Sequence, residues 1–179
     1  GASQQLTGQI RVPGDKSISH RAIMLAALAN GVSRIDGFLD GEDTRATARI
    51  FAQLGVRIET PDAQSRIVHG VGLHGLRAAS TNLDCGNAGT GMRLLTGLLS
   101  AQAFDSTLVG DASLSQRPMA RVIGLLQQMG AKISAREDNF APLHIHGGQA
   151  LHGMEIDTRV ASAQVKSALI FAAPGKLFK

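Results

Sequence analysis

Tryptophan and tyrosine are missing altogether, and aromatic residues make up only 3% of the chain. With so few rings to stack on bases and no block of consecutive basic residues, the sequence predicts no nucleic-acid partner. Cysteine occurs once, at Cys85, which excludes an internal disulfide and fits a reducing, cytoplasmic setting. No apolar run is long enough to cross a bilayer, and no basic stretch followed by an apolar run opens the sequence, so a membrane partner is not expected either. Core packing must come from Leu, Ile, Val, Ala and Met, within a chain of 179 residues that is 44% hydrophobic. That is enough for one ordinary core.

Glycine is plentiful, at 21 residues, and 18 basic residues against 14 acidic ones leave a net charge of +4. Most of the basic residues are arginine, whose planar fork suits phosphate and carboxylate ligands.

The chain also repeats itself. Gln53-Leu54-Gly55-Val56-Arg57-Ile58 returns as Gln128-Met129-Gly130-Ala131-Lys132-Ile133, and Leu73-His74-Gly75 returns as Leu151-His152-Gly153. The apolar segment from Arg21 has a counterpart from Arg93, and a third, Ser167–Ala173, begins about one period later. Repeats of this kind bury their apolar faces on one another. The expectation is two whole units, about 6–80 and 81–153, and the opening of a third, 154–174, in one incomplete α+β domain. Residues 175–179, which break the pattern, are expected to be a non-native or disordered tail.

Each unit reads strand, helix, strand, helix, strand, strand. In the first, Ile10-Arg11-Val12 is the opening strand and Ser19–Ala29 an apolar, buried helix. Ser33-Arg34-Ile35 starts a short strand. Asp40, Glu42 and Asp43 cap a second helix closed by Gly55, and Val56–Ile58 pairs with Ile67-Val68. In the second unit, Thr90–Ala101 is the apolar helix and Thr107–Val109 the strand after it. Pro118 opens a helix whose stripe is Met119, Val122, Ile123, Leu126 and Met129, and Ala131–Ala135 and Leu143–His146 close the unit. The third opens with Met154–Asp157 and a helix near Ala163–Ala173. One buried and one surface helix per unit predicts helices gathered inside and sheets facing out.

Four polar or glycine-rich turns lead toward helix N-termini: Pro13–Arg21, Gly86–Thr90, Gly110–Pro118 and Ala161–Gln164. Helix N-termini carry unpaired N–H groups and partial positive charge. Turns in equivalent places of successive repeats would build one polyanion pocket, with Lys and Arg adding charge-assisted bonds of about 1.5–3 kcal/mol each. Taken singly, such a turn is more often only a turn. A nucleotide-binding P-loop is excluded by spacing, since Asp15 and Ile10 stand where its two glycines belong. His144 and His146 share a strand face and read as solvent-facing rather than metal ligands, Cys85 as a small buried thiol, and Lys166 as a surface charge.

Together the four turns resemble those of the 5-enolpyruvylshikimate-3-phosphate synthase family. The matching segments are Pro13–Ala22, Gly86–Arg93, Gly110–Met119 and Ser162–Ala168. The resemblance implies an inside-out α/β barrel of βαβαββ units and transfer of the enolpyruvyl group of phosphoenolpyruvate to the 5-hydroxyl of shikimate 3-phosphate, in aromatic amino acid biosynthesis, without metal or organic cofactor. It implies that Lys16 meets both substrates and assists proton transfer. Ser17, Arg21, Ser162 and Gln164 would hold shikimate 3-phosphate. Asn87, Gly89, Thr90, Arg117 and Gln164 would hold phosphoenolpyruvate, with glyphosate as an inhibitor at the Gly89 turn. The chain departs from the pattern at Ala163, where many members carry Ser, and at Leu94, where many carry Pro. The family's carboxylate base and further cations lie beyond the matched region, so activity is expected only with a complementary C-terminal part as partner. Two rivals are a UDP-N-acetylglucosamine enolpyruvyl transferase, disfavoured because Gly110–Pro118 holds no Cys, and a non-catalytic anion-binding fragment.

Overall fold

The computed structural model describes residues 12–155 and 161–173. The first stretch runs α1 (Lys16–Leu28), β1 (Asn30–Asp36), α2 (Glu42–Gln53), β2 (Arg57–Asp62) and β3 (Ser65–Val71). The second runs β4 (Leu83–Asp84), α3 (Gly89–Ser100), β5 (Ser106–Val109), α4 (Ala120–Gln128), β6 (Lys132–Arg136) and β7 (Phe140–His146), and α5 (Ala163–Ala172) follows. Ile10 and Arg11 of the expected opening strand lie outside the described residues, as do Ile156 and Asp157 of the third unit's strand. Val12, Met154 and Glu155 are not in strands.

Local chemistry sets the element ends. Gly55 and Gly130 follow α2 and α4 with φ of 93° and 103°, a left-handed conformation that costs glycine little. The α4 stripe is buried from Met119 to Met129. In β7, Ala141, Leu143 and Ile145 point inward while Pro142, His144 and His146 are exposed, as alternation requires.

Three expected details change. First, α1 begins at Lys16 rather than Ser19, because the Ile18 N–H donates to Asp15 Oδ1 at 2.7 Å and caps the helix earlier. Nor is α1 buried all round: Ile18 and Leu25 are each 59% exposed. Second, α2 is capped at Gly41, not by an acidic side chain. Thr44 Oγ1 accepts from the Gly41 N–H at 3.1 Å, and Asp40 and Asp43 are turned to ion pairs instead. Third, Pro118 stands two residues before α4, whose N-terminus is closed by Asn139. The Oδ1 atom of Asn139 accepts from Met119 and Ala120 N–H at 2.8 and 2.7 Å.

Two sheets flank the helices, β1-β3-β2 and β4-β5-β7-β6, with only the β4–β5 pair parallel among the described residues. Ten of the twelve residues of α3 are buried, and α3 packs on α1, α4 and α5. Helices therefore sit inside, with the polar faces of the sheets outward. Thr90 lies beside Gln164 and Gly97 against Ala168, so α3 and α5 run parallel with their N-termini together. A methyl on Gly97 would come within 1.9 Å of the Ala168 carbonyl oxygen, so only glycine lets these backbones meet. No helix among the described residues is long and apolar enough to cross a membrane.

Candidate anion-binding site

Three of the four turns are tied directly together by side chains. Asn87 spans two of them: its Nδ2 donates to the Asp111 carboxylate at 3.0–3.1 Å, and its Oδ1 accepts from Arg117 Nη2 at 2.6 Å. Asp111 in turn accepts from the Leu114 N–H at 2.7 Å. That bond first, and the Asn87 amide after it, hold the carboxyl below its ordinary pKa. Gln164 brings in α5, donating to Thr90 Oγ1 at 2.8 Å and accepting from Arg93 at 3.4 Å.

Gly89 is the centre of this cluster. A methyl there would stand 3.0 Å from Arg117 Nη1 and 3.1 Å from Arg93 Nη1, so two guanidiniums flank one α-carbon. Neither has a carboxylate partner among the described residues; Arg93 binds the Gly89 and Pro118 carbonyls and Arg117 the Asn87 carbonyl. Burial, and after it the charge of Arg117, pushes Arg93 below the usual guanidinium pKa. Two guanidiniums without a direct carboxylate partner among the described residues, beside an α3 N-terminus without a side-chain cap, suit an incoming anion. The sequence reading assigned Arg93 no role. Its signal was its place four residues after Gly89, one helical turn along the same face.

The first turn joins by packing rather than by bonds. His20 Nδ1 lies 2.8 Å from Thr47 Oγ1, and a methyl on Gly91 would meet that hydroxyl at 3.0 Å and the His20 ring at 3.4 Å. Early turns of α1, α2 and α3 thus share one junction. Lys16 and Ser17 sit in the first turn of α1 and Arg21 in its second. Lys16 donates to Asp43 Oδ2 at 2.9 Å, while the side chains of Ser17 and Arg21 have no hydrogen-bonding partner among the described residues. None of the three side chains is hydrogen-bonded to the Gly89 cluster. Ser162 caps α5, its Oγ accepting from the Val165 N–H at 3.3 Å. The expectation that all four turns offer free helix N–H groups is corrected: Asp15, Asn139 and Ser162 accept from N–H groups at the starts of α1, α4 and α5, and the start of α3 has no side-chain cap.

Two hollows in the surface lie apart from Gly89, one between residues 79–83 and 105–107 and one lined by Pro13, Gly14, Phe38 and Asp62. The charged cluster is half open to solvent. No group of three or more His, Cys, Asp or Glu suited to a metal occurs among the described residues. Cys85 is buried and its thiol is pushed up by burial and then by Asp84, which keeps it protonated and unreactive.

The sequence model of EPSP synthase (3-phosphoshikimate 1-carboxyvinyltransferase) matches residues 1–176. The chain belongs to the EPSP synthase family. The 3-phosphoshikimate 1-carboxyvinyltransferase of Xanthomonas euvesicatoria is 68% identical over 167 residues, which are 93% of this chain and 38% of that relative. That of Xanthomonas campestris is 67% identical over the same shares. The solved EPSP synthase of Acinetobacter baumannii superposes with a TM-score of 0.88 at 52% identity, covering 92% of this chain and 37% of that one. The α+β fold is thus an EPSP synthase fold, and the chain spans under two-fifths of the length of these relatives.

Proposed function

We propose that this chain carries one share of the substrate site of a 3-phosphoshikimate 1-carboxyvinyltransferase. The supporting observation is the cluster in which Arg93 and Arg117 flank Gly89 while Asn87 and Gln164 tie three turns together. In this reaction C2 of phosphoenolpyruvate bonds to the 5-oxygen of shikimate 3-phosphate as its methylene carbon gains a proton and the hydroxyl loses one. The tetrahedral adduct then expels phosphate and gives a methyl proton back, which restores the enol ether. Both substrates are multiply anionic, so pre-placed cations and N–H donors lower the barrier without reorganising.

In this reading Gly89, Thr90, Asn87 and Arg117 receive the phosphoenolpyruvate phosphate, with Arg93 behind them. Ser17 and Arg21 take the shikimate carboxylate, and Ser162 the 3-phosphate. Gln164 lies between the substrates, and Lys16 exchanges Asp43 for substrate oxygens and helps move the proton. Glyphosate is the expected inhibitor at the Gly89 turn. The base for the 5-hydroxyl comes from a complementary C-terminal part, and the setting is cytoplasmic.

Calorimetric titration with shikimate 3-phosphate tests the binding half: weak uptake abolished by Arg21→Ala is expected, and equal uptake by both forms refutes it. Phosphate release on mixing with the C-terminal region of a close relative tests the catalytic half. Robust turnover by this chain alone would contradict the division.

A further inference from the structure

Arg66 on β3 is 4% exposed, a position where an arginine needs every donor matched. Its Nη1 donates to the carbonyls of Ser65 at 2.8 Å, Asp62 at 3.1 Å and Ala63 at 3.3 Å, and its Nη2 to Asp40 Oδ1 at 2.8 Å. The guanidinium lies 4.3 Å from the centroid of the Phe38 ring, and the Phe38 N–H donates to the Gln64 carbonyl at 2.9 Å. One buried side chain therefore fastens the β2–β3 turn to segment 37–41.

That segment in turn carries the start of α1. The Leu39 N–H donates to Ser19 Oγ at 3.0 Å, and Ser19 Oγ donates to the Asp15 carbonyl at 2.8 Å. Gly14 lies so close that a methyl would stand 2.0 Å from the Gly37 carbonyl oxygen. Beyond Gly41, Asp43 holds Lys16. The start of α1 that bears Lys16 is thus held at Gly37 and Leu39, on a segment that Arg66 grips at Phe38 and Asp40, and Lys16 itself is held by Asp43 just beyond that segment.

We infer that Arg66 is a positioning residue for Lys16, acting through Asp40, Phe38 and the Leu39–Ser19 bond. Its bearing on substrate rests on the reading of Lys16 and Ser17 as substrate ligands. The placement itself does not.

Amide hydrogen exchange on the full chain, read by NMR, tests it. Arg66→Lys keeps the charge but loses the fork, and Asp40→Asn removes the acceptor charge at constant shape. Both should speed exchange at Leu39 by about tenfold or more while the β3 amide of Val68 stays within twofold. Arg45→Met, which removes the other arginine on Asp40, should leave Leu39 unchanged. Uniform acceleration would make Arg66 a general clamp, and an unaltered Leu39 would disconnect it; either result overturns the proposal. In parallel, shikimate 3-phosphate should shift the Ser17 and Arg21 amides of the unsubstituted chain, and about fivefold less tightly in Arg66→Lys. If the unsubstituted chain shows no such shift, the substrate reading fails, and the exchange rates still decide Arg66.

Discussion

Lys16 Nζ and Asp43 Oδ2 stand 2.9 Å apart, the lysine 54% exposed and the aspartate 22%. The cation is therefore already occupied, by a partner 27 residues away on a different helix. An ion pair this open contributes little to folding, so Asp43→Asn should change stability by less than about 1 kcal/mol. It also releases a positive charge next to the proposed ligand. Affinity for shikimate 3-phosphate should rise roughly two- to fivefold at low salt and converge with the parent at high salt. Calorimetry across ionic strengths checks this. Weaker binding by Asp43→Asn would show that the carboxylate aims Lys16 rather than blocking it.

Gly89→Ala tests the cluster differently. The added methyl would meet the ends of two flexible side chains, 3.0 Å from Arg117 and 3.1 Å from Arg93, not a backbone wall. Each guanidinium can swing a few tenths of an ångström, and alanine favours the helix, so unfolding free energy should stay within about 1 kcal/mol of the parent. The cost falls on the anion, whose donors are displaced. Phosphoenolpyruvate binding should weaken severalfold with melting temperature nearly constant. A variant that melts early and still binds normally would place Gly89 in the core rather than the site.

The helices and hairpins were legible because their signals are local. The 3.6-residue stripe from Met119 to Met129 is buried as its spacing predicted, and the turn glycines after α2 and α4 have the expected positive φ. The family motifs marked the turns that cluster. What escaped were partnerships across distance. Only the β6–β7 hairpin lays Asn139 over the start of α4, and Asp43 read as a helix cap because its lysine partner lies 27 positions back. Arg66 carries the same lesson. Nothing in its sequence neighbourhood marks it for burial, yet four oxygens within 3.3 Å justify it.

Gly97→Ala should fail where Gly89→Ala is tolerated. Here the methyl would come within 1.9 Å of the Ala168 carbonyl oxygen, and a backbone cannot rotate away. Separating α3 from α5 opens a core in which Leu98, Val165, Ala168 and Leu169 are buried, at a cost of about 3 kcal/mol or more. It also draws Gln164 from Thr90. Urea denaturation should show the loss, and limited proteolysis should release the segment after residue 160 first. Unchanged stability would mean that α5 is not docked on α3 in solution.

His20 should make stability depend on pH within a definite window. The residue is fully buried, its Nδ1 bonded to Thr47 and its Nε2 without a partner among the described residues. Burial above all, countered by Asp43 and aided by Lys16 and Arg21, lowers its pKa from 6.5 to about 4. Between those values the unfolded chain takes a proton that the folded chain refuses. Stability is therefore full above about pH 6.5 and falls as pH drops toward 4, by about 3 kcal/mol in all. The carboxylates held down by arginines and N–H donors, Asp36, Asp40 and Asp111, add their own losses only below about pH 4. The difference between the parent and His20→Gln in urea midpoints at pH 7.5, 6 and 4.5 isolates the histidine, and should move steadily against the parent as pH falls. An imidazole titrating near 6.5 in the folded chain, read by NMR, would mean that the junction of α1, α2 and α3 admits water and proton freely.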